Sequence, residues 1–402
     1  MHTRMTMIAC LVLLAGCGGG GGGSSSSPGV TSAPVSGVNV LAVSVDGWAP
    51  RFPNQPYVSV TLCDPSGGNC QTVDHVLVDT GSVGFRVMAS VLSPALAAAL
   101  PAQKDSGSGN PLAVCTQFAT GYTWGPVRLA QLQLGGEPAV STPIQVIDDS
   151  AAPNPGVPVS CSNTGGISMN GIDRFGARAT LGIGAFRHDC GSVCATSADP
   201  GYYYACTATA CNPVAVELRS QIQNPVALQS TDNNGVLIDL PALPAGSASS
   251  ARGWLILGIG TRPNNDLGSA QVYTLDAIGE FSTLYKGRTL NASFIDSGSN
   301  GLFFDDTAIT LCKLSSGFYC PPSPLQLSAT IQGRTTGTSP PLLFTLGNVD
   351  AINGAALAGI GGPFDGLGTS FDWGLPLFYG RRIFTAIEGM GAPGGTPPYV
   401  AF

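Results

Sequence analysis

The chain has 402 residues, enough for one large domain or two lobes with a substantial core. A net charge of −7 and lysines only at Lys104, Lys286 and Lys313 exclude a phosphate-binding surface, so nucleic acid is not an expected partner. Only 10% of residues are charged, while 55 Gly and 31 Pro punctuate many short Val/Ile/Thr/Leu runs; this predicts an all-β protein with few short helices.

Residues 1–17 read as a targeting segment that stands apart from the fold. Arg4 supplies a positive region, and Met7 to Leu14 is an apolar stretch too short for a permanent membrane span. Leu14-Ala15-Gly16-Cys17 resembles the lipobox of bacterial lipoproteins. That resemblance implies lipidation at Cys17, a bacterial cell envelope location and, with Gly18 next, sorting to the outer membrane. An ordinary secretory signal is the weaker alternative. The Gly18 to Gly23 and Ser24 to Ser27 tract opens a tether expected over 18–37, of the flexible kind an anchored domain needs.

Export also suits the cysteines. Of twelve, removal of Cys10 with the signal and lipidation of Cys17 leave ten, an even number expected to form disulfides in an oxidising compartment. Cys63/Cys70, Cys206/Cys211 and Cys312/Cys320 are close in sequence, Cys190 and Cys194 precede the Cys206/Cys211 loop, and Cys115 and Cys161 lie further apart; the connectivity stays open. A zinc site at Cys190, Cys194, Cys206 and Cys211 is the weaker reading.

Beyond the tether, strands are expected at Val38 to Val45, Tyr57 to Leu62 and Asp74 to Val78, and a short helix at Leu92 to Leu100. Gln117 to Leu134 reads as a hairpin with Gly121 and Gly125 near its tip. Residues 150–170 and 189–213 are loop-rich. Asn233-Asn234-Gly235 is a hairpin-turn signal between Gln229 and Leu240. Trp254 to Gly260 reads as a buried strand. Two halves are expected, 38–220 and 221–402, with the boundary between Pro213 and Asn233.

Each half carries an Asp at the end of an apolar run: Val76-Leu77-Val78-Asp79-Thr80-Gly81-Ser82 and Phe294-Ile295-Asp296-Ser297-Gly298-Ser299. An ionised Asp in an apolar setting is costly unless compensated, and the obvious compensation is the other Asp. Asp105-Ser106-Gly107-Ser108 repeats the tetrapeptide without apolar flanks and reads as a surface turn. Context therefore separates the two candidates from the decoy.

On these residues the chain resembles the bilobal, pepsin-like aspartic peptidases. The resemblance implies two β-rich lobes with a central cleft, over roughly 38–402. It assigns Asp79 and Asp296 as the catalytic pair, with Thr80, Gly81, Ser82, Ser297, Gly298 and Ser299 supporting them. It places Phe118 where the family's flap carries a Tyr, with Tyr122 as the nearby hydroxyl. Thr180-Leu181-Gly182 and Asp372-Trp373-Gly374 match the strands beneath the two loops, although Thr180 and Asp372 stand where apolar residues are usual. Phe378 to Ile387 matches the closing strand. A monomer acting on peptide or protein substrates, without cofactor or metal, is implied, as is a membrane partner through the lipid alone.

Other chemistry is poorly supplied. Only His75 and His188 remain after the signal, and no Gly-x-Ser-x-Gly elbow accompanies them. Asp232-Asn233-Asn234-Gly235 lacks the later acidic ligands of a calcium loop. Asp148-Asp149 and Asp305-Asp306 read as solvated loop ends. The rival expectation is a surface binding lipoprotein that keeps the fold and cleft without turnover.

Overall fold

A computed structural model describes residues 28–148, 155–163, 166–199, 201–244, 246–364 and 367–402. Cys17, the signal segment and Asp149 lie outside them. The described chain is built of strands, with only short helical turns such as Pro94–Ala99, and among the described residues no helix is long and apolar enough to cross a membrane. All-β is the observed class.

In the first half, six strands close on themselves. Tyr57–Cys63 pairs with Cys70–Asp79, which pairs with Ala179–Ile183, and that strand pairs with Val83–Met88. Val140–Ile147 follows, then Gly121–Gln133, which returns to Tyr57–Cys63. Closure leaves no open edge in this ring. Ala179–Ile183 is buried along its whole length, as expected for a strand enclosed on both faces. Leu77, Val76 and Val78 are buried before Asp79; each such side chain contributes roughly 1.5–3 kcal/mol of burial.

The same sheet continues, through the pairing of Ser44 with Tyr57, into strands drawn from both ends of the sequence. Val40–Val45 alternates inward Leu41, Val43 and Val45 with more exposed residues, the period of two of a strand. It pairs with Ala251–Leu257, which continues to Gly235–Leu240, Arg381–Ala386, Tyr399–Ala401 and Val272–Thr274. Arg262 ties the halves further, contacting Asp232 at 2.6 Å and Glu137 at 3.3 Å. A separate seven-stranded sheet runs Leu342–Leu346, Leu325–Gln332, Phe281–Tyr285, Arg288–Ile295, Phe371–Trp373, Leu302–Phe304, Gly361–Gly362.

Several expectations need adjustment. The tether expected to reach residue 37 is ordered from Val30: Val30–Thr31 pairs in parallel with Ala251 and Arg252, and the Trp254 indole donates to the Ala33 carbonyl at 2.8 Å. The hairpin after residue 112 turns at Ala119-Thr120, because Phe118 pairs with Gly121 and Gly125 lies opposite Val114 within the ladder. Asn233-Asn234-Gly235 is not a hairpin turn. Gly235–Leu240 finds its partners far away in sequence, and Asn234 instead braces Ile259, accepting from its N–H at 2.8 Å and donating to its carbonyl at 3.0 Å.

Five disulfides join Cys63 to Cys70, Cys115 to Cys161, Cys190 to Cys194, Cys206 to Cys211 and Cys312 to Cys320. The four cysteines weighed as zinc ligands are thus consumed in two bridges. Cys115–Cys161, whose ends are 46 positions apart, removes the most freedom from the unfolded chain on the loop-entropy account.

Candidate active site

Asp79 ends the strand Cys70–Asp79, and Asp296 follows the strand Arg288–Ile295. The surroundings of the two are the same construction twice. Beside the first, Ala179–Ile183 runs parallel, with Gly182 opposite Asp79, and antiparallel to Val83–Met88. Beside the second, Phe371–Trp373 runs parallel to Arg288–Ile295 and antiparallel to Leu302–Phe304. Each loop therefore grows from the end of one strand and rests against a buried neighbour that pairs on both its sides.

Within each loop the carboxyl is held by its own tetrapeptide. Asp79 Oδ1 accepts from the Gly81 amide at 2.8 Å and Oδ2 from the Ser82 hydroxyl at 2.5 Å. Asp296 Oδ1 accepts from the Gly298 amide at 2.7 Å and Oδ2 from the Ser299 hydroxyl at 2.9 Å. The loops then lock onto each other. The Thr80 amide donates to Ser297 Oγ at 3.1 Å, and the Ser297 amide donates to Thr80 Oγ1 at 2.9 Å. The same hydroxyls donate across to the strand carbonyls, Ser297 to Val78 at 2.8 Å and Thr80 to Ile295 at 3.4 Å.

This lock brings the carboxyls together. The Gly81 amide donates to Asp296 Oδ1 at 3.1 Å as well as to Asp79 Oδ1 at 2.8 Å, so one donor bridges the two carboxyls. Only glycine fits on either side of the approach. A Cβ on Gly81 would stand 2.6 Å from Asp296 Cγ, and one on Gly298 would stand 2.8 Å from Asp79 Oδ1.

Burial first, and the Asp296 carboxyl second, hold the Asp79 carboxyl well above the ordinary carboxylate range, against the hydrogen bond from Ser82. Two neighbouring carboxyls that cannot both ionise cheaply can share one proton. Such a pair can take a proton with one member and give one with the other, which is general acid–base chemistry. Asp372 is a third acid at the site. Burial, then Asp296, push it well above the ordinary range too.

Both Asp residues line a cavity of about 480 Å³. Its walls include Phe118, Phe175, Phe303, Phe318 and Phe364, with Gly298, Ser299 and Asp372 beside the carboxyls and Ala119 and Thr120 from the hairpin turn. A larger cavity of about 750 Å³ reaches Leu302 and Trp373 from the far side. It has no acidic or histidine lining, only Tyr379 and Arg381 among titratable groups, whereas the smaller one gathers three acids.

Thr80, Gly81, Ser82, Ser297, Gly298 and Ser299 all gather around Asp79 and Asp296. Phe118 lies at the cavity, edge-on to Phe175 at 5.6 Å. Tyr122 does not join it: register places it on the opposite side of the hairpin, packed with Cys115, Cys161, Trp124 and Tyr204. Asp105 forms the surface turn, accepting from the Ser108 amide at 2.7 Å and hydroxyl at 2.6 Å. Asp305 and Asp306 are braces rather than solvated ends. Asp306 accepts from the Tyr285 hydroxyl at 2.6 Å and Lys286 at 2.7 Å, and Asp305 from the Phe364 amide at 3.2 Å.

Two contributors had no local sequence signal. Asn54 donates to the Asn300 carbonyl at 2.8 Å and the Leu357 carbonyl at 2.6 Å while accepting from Tyr379 at 2.8 Å, fixing the chain just past the second loop. Gln55, next to it, lines the cavity. Both act over more than 200 residues of sequence or through a wall, which no short motif encodes.

No curated protein matches the chain by sequence. The family described as "Protein of unknown function (DUF3443)" matches residues 35–402, nearly all of the chain that carries the sheets and both Asp loops, and the chain belongs to that family.

Proposed function

We propose that the chain is an exported, pepsin-like aspartic endopeptidase of two β-rich lobes that uses Asp79 and Asp296 to activate a water for peptide hydrolysis. The observation that carries this reading is the reciprocal lock of the two loops, which brings the buried Asp79 carboxyl and the partly buried Asp296 carboxyl onto one shared amide donor beside one cavity.

In this reaction the ionised member of the pair takes a proton from the water, whose oxygen bonds to the substrate carbonyl carbon. The protonated member gives its proton to the carbonyl oxygen, forming a neutral diol. Collapse breaks the C–N bond, the leaving nitrogen takes a proton from one carboxyl, and a diol hydroxyl returns one to the other. One water is consumed, and the pair ends with the single proton it began with. The aromatic walls supply apolar surface for peptide side chains, and Ala119 and Thr120 bring the hairpin turn to the edge of the same cavity.

Leu14-Ala15-Gly16-Cys17 and the Gly/Ser tract support lipidation at Cys17 and anchoring at the bacterial envelope, with the outer membrane as the destination. A second reading, a binding module without turnover, is favoured by the flap alone, where Phe118 brings no hydroxyl and Tyr122 faces away. Incubation with unfolded casein at mildly acidic pH decides between them: cleavage blocked by a pepstatin-like inhibitor is expected. Inhibitor binding without cleavage would establish the second reading instead.

A further inference from the structure

The cavity holds a third acid outside the pair. Asp372 lies in the strand Phe371–Trp373, between Phe294 on one side and Phe303 on the other. It is 2% exposed, and it lines the same cavity as Asp79 and Asp296. Its Oδ1 has no hydrogen-bond partner. A buried, unpaired carboxyl oxygen in a folded protein calls for an explanation, because burial without a partner costs stability.

A second unpaired atom shares the cavity. Gln55 is 7% exposed, also lines the wall, and its Oε1 is without a partner. Two oxygen atoms thus wait for donors in a cavity otherwise walled by Phe303, Phe318 and Phe364. The one cation on the lining, Arg51, is exposed to solvent and brings no partner to Asp372.

A ligand that satisfies this wall carries donors at the end of an apolar stem. Lysine and arginine side chains have that form, with a stem for the phenyl rings and an ammonium or guanidinium for the acids. Charge favours them over a neutral amide. The cavity gathers three acids, Asp79, Asp296 and Asp372, and its one basic side chain, Arg51, stands at the solvent.

We infer that Asp372 is a specificity-determining residue and that the subsite on the Asp296 side of the pair accepts a basic substrate side chain next to the scissile bond. The inference rests on the peptidase reading, but its test does not depend on turnover.

Reduced-amide peptides, which cannot be cleaved, would be prepared with Lys, Arg, Gln or norleucine at either residue flanking the reduced bond. Their binding to the wild type, Asp372→Asn and Asp372→Leu would be measured by calorimetry, with melting curves to show that each variant is folded. At one flanking position the wild type is expected to prefer Lys or Arg over norleucine by about tenfold or more, a discrimination of the size one matched polar contact gives. Asp372→Leu reverses the order, and Asp372→Asn brings Lys down to the level of Gln.

Equal binding of Lys and norleucine to the wild type, a Gln peptide that matches Lys, or an unchanged order in Asp372→Leu would each overturn the inference. Digestion of the cleavable counterparts is scored separately. Wild type that binds Lys selectively yet cleaves nothing retains the subsite and removes the peptidase reading.

Discussion

The loops at Asp79 and Asp296 share their internal hydrogen bonds, their glycine contact and their bracing strands, yet they rest on different floors. Under the first lies Thr180, opposite Leu77; under the second lies Asp372, opposite Phe294. The turn at Asp105 completes the comparison, because it makes the same Asp-to-Ser hydrogen bond with nothing beneath it. The tetrapeptide therefore folds on its own terms wherever it occurs. What makes a site is the pair of buried neighbour strands on which two copies rest, and what individualises the halves is the side chain under each loop.

The sharpest way to break this symmetry is at the glycines. Gly81→Ala and Gly298→Ala each put a methyl group where the opposing carboxyl stands, and a displacement of about 1 Å at reacting groups can cost about 100-fold in rate. Both are expected to lose at least that much casein cleavage. Gly107→Ala in the Asp105 turn, whose added Cβ would meet nothing nearer than 3.4 Å, should be silent. Unequal losses at Gly81 and Gly298 would show that the halves do not approach each other as equals.

Next in size are the cross-loop hydroxyls. Ser297→Ala and Thr80→Val each leave a buried amide of the other loop without its acceptor. Each is expected to lower unfolding stability by about 1–3 kcal/mol in denaturant titrations. Ser108→Ala, which removes the equivalent local bond at the surface, should stay within about 0.5 kcal/mol.

The smallest and most specific effect lies in the floors. Asp372 has its folded-state pKa raised by burial and by Asp296, so the native state holds a proton that the unfolded chain releases. Its contribution is fully present below the ordinary carboxylate pKa of about 4 and is lost as pH rises toward the raised folded value. Asp372→Thr, which copies the first half, should leave the melting temperature near its wild-type value at pH 3.5. At pH 7 it should raise it, by about 1.4 kcal/mol of stability for each unit of pKa difference removed. A gain that is the same at both pH values would show that Asp372 is not protonated in the native protein.

Much of this arrangement was legible in the sequence, and the reasons are physical. Apolar runs ending in Asp-Thr/Ser-Gly-Ser mark both loops because the strand, the carboxyl and its donors are contiguous. The all-β class follows from the density of Gly and Pro between short β-branched runs. Tyr122 was misplaced because a two-residue hairpin turn fixes which face each side chain takes, and a glycine-rich stretch offers several candidate tips. The signal at Asn234-Gly235 looked like a hairpin because a side chain that braces Ile259 uses the same residue types as a turn. Asn54, Gln55 and the phenyl walls from Phe303 and Phe364 are brought to the site by sheet pairing across the whole chain, and nothing local announces them. Asp372 stood out only as an acid in an apolar pattern; its place beside Asp296 and its unpaired oxygen required the fold.

The central claim is that two carboxyls from two loops act on one water. It is tested most directly by measuring cleavage of unfolded casein at mildly acidic pH by the wild type, Asp79→Asn and Asp296→Asn, each shown to be folded by its melting curve. Cleavage by the wild type and its loss in both variants is the predicted result. Undiminished cleavage by either variant would contradict it.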